Sequence, residues 1–67
     1  MNKNIFMSVV IKNGDNCSVL ASVLGISRIT LSRKINEKGT SFTQPEIKAI
    51  VNRYSLSPEE TVSIFFN

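Results

Sequence analysis

Most of the chemistry this chain offers lies within eleven residues. Between Arg28 and Lys38 stand Arg28, Arg33, Lys34 and Lys38 against one acid, Glu37, a local balance of +3. Elsewhere Lys3, Lys12, Lys48 and Arg53 are cancelled by Asp15, Glu46, Glu59 and Glu60, so the entire excess of +3 sits in that stretch. Clustered cationic groups attract polyanions, and a guanidinium fork matches paired acceptors such as guanine O6 and N7. The competing reading is a basic helix face that is merely solvated.

Other chemistries have little to work with. There is no histidine and one cysteine, Cys17, which excludes an intrachain disulfide and any zinc-type cluster; no metal and no cofactor are expected. A lone thiol without a histidine is a poor nucleophile, so Cys17 reads as a small, partly buried residue in a reducing compartment. Of the five carboxylates, Glu46 and Glu60 have the spacing of helix caps, and catalysis is not expected. The apolar run Ile5 to Ile11 falls far short of the ~20 residues that span a bilayer, and no A-x-A-like cleavage site follows it. The expectation is a cytoplasmic protein without a membrane partner.

The elements that must carry the basic stretch follow from punctuation and periodicity. With 67 residues, the chain is expected to form one domain, 1–67, near the lower size limit for an unassisted core, where pairing with a second copy is a common source of stability. About five short helices are expected, giving an all-α bundle. The first covers residues 4 to 12, with Ile5, Phe6, Val9 and Val10 on one side and Asn13-Gly14 closing it; Val9-Val10-Ile11 leaves a strand open here. The second covers Cys17 to Leu24, capped by Asp15, Asn16 or Ser18, with Leu20, Val23 and Leu24 inward. Ser27 caps a third, residues 28 to 36, with Leu31 and Ile35 inward. Thr43-Gln44-Pro45-Glu46 and Ser57-Pro58-Glu59-Glu60 have the spacing of capping boxes with proline in the first turn. They open a helix with Ile47, Ile50, Val51 and Tyr54 on one face, and a last one running to the chain end with Val62, Ile64, Phe65 and Phe66.

The second and third helices meet the demands of a tight helix-turn-helix. Gly25 supplies a turn residue free to adopt positive φ, Ala21 permits close approach, and Leu20, Leu24, Ile26 and Leu31 fill the angle. The stretch "LASVLGISRITLSRKI", residues 20 to 35, resembles the helix-turn-helix of Cro/repressor-type regulators, small DNA-binding proteins of phages and bacteria. "FTQPEI" and "LSPEETVSIFF" are similar to the later helices of short phage-type members, extending the resemblance to roughly residues 17 to 66. It implies a lambda-repressor-like DNA-binding domain. One departure is Lys34, three residues after Leu31, where many members carry an apolar residue. Either Ile35 takes over the packing while the Lys34 stem lies along the core edge, or the helix is rotated.

At about 100° per residue, Leu31 and Ile35 anchor the third helix while Arg28, Ile29, Ser32, Arg33 and Asn36 share the opposite arc. In a major groove that arc meets base edges, with Arg28 and Arg33 as the main readers and Ser32 and Asn36 as weaker ones. Ile29 fits a thymine methyl contact, a scattered surface apolar residue, or a protein contact. Phosphate contacts are assigned to the helix starts at Cys17, Ser18 and Ser27, and to Lys34, Lys38, Thr40 and Ser41. Of Phe65 and Phe66, one is expected to pack against Ile47, Ile50 or Val51 and the other to meet a second subunit or other partner; burial of both within one subunit is the alternative.

Two functions are carried forward. One is a sequence-specific regulator that represses transcription by occupying a double-stranded operator. The other is a small antirepressor that pairs with a larger repressor protein and blocks its DNA binding.

Overall fold

The computed structural model describes residues 1–66, which form five α-helices and no strand: α1 (Lys3–Lys12), α2 (Cys17–Leu24), α3 (Arg28–Ile35), α4 (Gln44–Tyr54) and α5 (Pro58–Phe65). The all-α expectation holds. Residues 5 to 11 are helical because Asn2 caps α1, accepting from the Ile5 N–H at 3.1 Å, and because burial follows helical spacing, with Phe6 and Val10 inside. Asn16 is the cap of α2, accepting from the Val19 N–H at 2.9 Å.

Both capping boxes form. Thr43 accepts from the Glu46 N–H while the Glu46 carboxylate accepts from the Thr43 N–H at 2.8 Å; Ser57 and Glu60 repeat the exchange, the return bond being 2.9 Å. The last helix ends at Phe65 with Phe66 as its cap; the expected run beyond Phe66 lies outside the described residues.

Leu20, Ala21, Leu31, Ile35, Ile50, Tyr54, Leu56 and Ile64 join Phe6 and Val10 in one core, with α2 against α3 and α1 against α5. The Asn2 N–H donates to the Ile64 carbonyl at 2.7 Å, tying the start of α1 to α5. The radius of gyration, 10.8 Å, matches the ~11 Å of a fully packed domain of this length.

One packing expectation needs correction. Val23, placed on the inner face of α2, is 44% exposed. Leu20, Ala21 and Leu24 set the inward direction of that helix, and Val23 lies roughly 100° away from it. Phe65 turns inward against the core and also meets the rings of Phe6 and Phe42, with centroids 6.2 and 5.8 Å away. With Phe6 and Phe42 at 5.7 Å, the three rings close a cluster over the start of α1, and Phe65 stays half-buried there. Phe66 is 61% exposed.

Candidate nucleic-acid interface

The turn before α3 is closed locally. Gly25 sits at φ +70°, and the N–H groups of Gly25 and Ile26 donate to the carbonyls of Ser22 (3.1 Å) and Ala21 (3.0 Å). This is the paired closure of a left-handed helix end. Ala21, 2% exposed, gives the close crossing its small residue. Ser27 then accepts from the Thr30 N–H at 3.0 Å and donates to the Thr30 hydroxyl at 2.9 Å. Its hydroxyl is thus taken by the cap, and what Ser27 adds to an anion site is the N–H end of α3.

Leu31 and Ile35 are buried, while Arg28, Ile29, Ser32 and Arg33 are exposed along α3. Arg28, Arg33 and Lys38 have no ion-pair partner among the described residues. Ile29 is 71% exposed, which leaves its side chain free to touch a ligand. Cys17 is half-buried as the first residue of α2, and Ser18 beside it is exposed. An open groove of about 690 Å³ separates α1 from α3, lined by Lys3, Met7, Cys17, Arg28, Ile29 and Asn36 among others.

Three of the expected site residues are engaged by the domain itself. Asn36 caps the end of α3, donating to the Ser32 carbonyl at 2.9 Å and accepting from Lys3 Nζ at 3.0 Å, so its amide is spent on intramolecular bonds. Lys34 is 7% exposed, its Nζ donating to the Ser41 carbonyl (3.1 Å) and Glu46 Oε1 (3.0 Å). The assignment of Lys34 to phosphate is therefore wrong. Three residues after Leu31 its stem follows the inward side of α3 along the core edge, while Ile35 is buried beside it. Ser41 is exposed, but its carbonyl is held by that same ammonium, and Thr40 is half-buried.

The far end of α3 repeats the closure of α2 without a glycine. Glu37 takes φ +54°, with its N–H donating to the Lys34 carbonyl at 3.3 Å and the Lys38 N–H to the Arg33 carbonyl at 2.9 Å. Its carboxylate faces the Met1 ammonium at 2.6 Å, so the single acid of the basic stretch is neutralised at short range.

Burial pushes the Glu46 carboxyl up, yet hydrogen bonds from the Thr43 N–H and the Lys34 ammonium outweigh it and hold the group below its usual value. A second network ties the turn after α1 to the end of α4. Asp15 accepts from Arg53 Nε (2.7 Å), an Arg53 terminal nitrogen (3.1 Å) and the Tyr54 hydroxyl (2.7 Å). Arg53 and Tyr54 hold the Asp15 carboxyl down, while burial and the Asp15 bond push the Tyr54 phenol up to about 12.

Comparisons with protein-family models, with curated proteins and with solved structures found no match to this chain. The site therefore rests on its own geometry.

Pairing decides which cations remain available. Arg53 and Lys34 are consumed by carboxylates, leaving Arg28, Arg33 and Lys38 around α3. Lys3 joins them. Sequence reasoning treated Lys3 as cancelled charge, and nothing near it in the chain points to Asn36, 33 residues away. Among the described residues no group of three or more histidine, cysteine or acidic side chains is placed to hold a metal ion, and no helix is long and apolar enough to cross a membrane.

Proposed function

We propose that this chain is a sequence-specific DNA-binding regulator that represses transcription by occupying an operator and excluding polymerase. The carrying observation is α3 itself. Its apolar side is locked into the core by Leu31 and Ile35, and its free side presents Arg28, Ser32 and Arg33 with no acid paired to either arginine. A helix anchored in this way enters a major groove, where each bidentate arginine–guanine pair contributes ~1–3 kcal/mol of discrimination. The N–H ends of α2 at Cys17 and Ser18 and of α3 at Ser27, with Lys38, Thr40 and Ser41 beyond it, hold the flanking phosphates; Lys3 adds a cation on the α1 side. The likeness of residues 20 to 35 to Cro/repressor-type regulators supports the same reading and a bacterial cytoplasmic setting.

Exposed Phe66 is the side chain on which a second copy would close, setting two recognition helices on half-sites about 34 Å apart. The test is fluorescence anisotropy on duplexes from around its own gene at about 50 and 200 mM salt, beside the Arg28→Ala/Arg33→Ala variant. Site-selective binding that weakens by a large factor over that range and vanishes in the variant supports the proposal. Equal, weak binding by parent and variant on every duplex overturns it.

Exposed Ile29 and the partly apolar groove behind it favour a second reading, an antirepressor that docks on a larger repressor protein. Its signature is weak, salt-insensitive binding to DNA together with tight binding to a repressor domain.

A further inference from the structure

Lys34 lies in the basic stretch but its charge faces inward, and what it touches gives it a different task. Its ammonium joins two acceptors from separate parts of the chain: the Ser41 carbonyl, in the loop between α3 and α4, and Glu46 Oε1, in the first turn of α4. The same Glu46 oxygen accepts from the Thr43 N–H, which ends that loop. The loop leaves α3 through the Lys38 N–H, bonded to the Arg33 carbonyl at 2.9 Å, so Lys38 begins it beside Arg33. From Asn36 to Thr43 the loop is thus fastened to α3 at its start and, through Lys34, near its far end.

We infer that Lys34 is a positioning residue for phosphate contact: it never meets DNA, and by clamping Ser41 and Glu46 it holds the 37–42 loop so that Lys38 stays beside Arg33 at the edge of the interface. This inference rests on the DNA-binding reading above. The ammonium of a residue only 7% exposed, with two of its three N–H groups given to acceptors of its own chain, is turned away from a phosphate at the surface, and loss of one acceptor leaves a desolvated charge. Without the clamp, the stretch between the Lys38 N–H and the packed Phe42 ring has no other side-chain tie to α3 among the described residues, and a lysine contact averaged over many loop geometries loses its entropic advantage.

A double-mutant cycle separates positioning from contact. Lys34→Met keeps the length of the apolar stem, and Glu46 keeps its bond to the Thr43 N–H. Lys38→Ala is expected to lower operator affinity several-fold and the log–log salt slope by about one. Lys34→Met should cost a similar factor and the same unit of slope, and the double variant no more than either alone. Lys34→Arg should restore binding. Amide hydrogen exchange on the free Lys34→Met protein should speed up at residues 38 to 42 and stay unchanged in the turn at 25 to 27. Additive losses make Lys34 a direct contact and overturn the inference; so do unchanged loop exchange or unchanged binding in Lys34→Met. If Lys34→Met does not fold, Lys34→Gln, which removes the ammonium and shortens its reach to Ser41 and Glu46, goes through the same cycle. Parent protein that binds no duplex removes the DNA reading itself, and loop exchange still decides whether Lys34 is a clamp.

Discussion

The two connections that flank α3 open with the same hydrogen-bonded helix closure, at the end of α2 and at the end of α3, by opposite means. Ahead of the helix, Gly25 adopts φ +70° without cost, a three-residue turn follows, and the Ser27 cap reaches only as far as Thr30. Behind it, Glu37 is held at φ +54°, an eight-residue connection follows, and order comes from Lys34 meeting Ser41 and Glu46. The first end is built from neighbours in sequence and the second from residues brought together by folding. The difference teaches where the proposed interface is rigid by composition and where its shape depends on one buried charge.

The sharpest way to break the comparison is to orphan that charge. Glu46→Ala leaves the Lys34 ammonium buried without its carboxylate and removes half of the capping box, at an expected cost of about 3 kcal/mol, a large share of what a domain of this size has. Urea denaturation against parent protein measures it. Gly25→Ala strikes the other end: a Cβ there meets nothing within 4 Å, so the whole cost is the left-handed backbone, about 1–2 kcal/mol, read as a lower Tm. Ser27→Ala removes the cap of α3 and should cost about 1 kcal/mol. Glu37→Gly relieves the non-glycine φ but gives up the ion pair with the Met1 ammonium, so stability should change by less than about 1 kcal/mol, while its removal of an acid should tighten DNA binding.

Acid separates the two ends more gently. The folded-state carboxyl of Glu46 lies below the ordinary glutamate value, so its stabilisation is fully present above that ordinary value and is lost as pH falls through the lower folded one. Amide exchange at pH 6 and near pH 3 should show the 37–42 loop loosening more than the turn at 25 to 27, where no titratable side chain takes part in the cap. Equal loosening at both ends would mean that the Lys34–Glu46 pair does not order the loop.

Helix positions were legible because each start and most ends are local matters. An oxygen three residues before an N–H, a proline in the first turn or a glycine past the last turn constrains only its neighbours, and Ser27, Thr43 and Ser57 act as their types and spacing imply. The closures at Glu37 and at Ser55, with φ +51°, carried no such sign, since neither residue type favours that backbone. The candidate site divides the same way. The outward placement of Arg28, Ser32 and Arg33 follows from helical period once Leu31 is known to be core.

Chain chemistry alone thus pointed to about five short helices, the caps of the last four and the face of α3 that carries the guanidinium groups. Tertiary structure decided which lysine is buried, which acid neutralises which base, and which aromatic rings meet. Lys34 with Glu46, Arg53 with Asp15, Lys3 with Asn36 and Phe65 with Phe6 are separated in sequence by far more than a helical turn. Charge and hydrophobicity make each of these groups ready to pair, but the partner is set by how the core volumes of Leu20, Leu31, Ile50 and Ile64 bring the helices together.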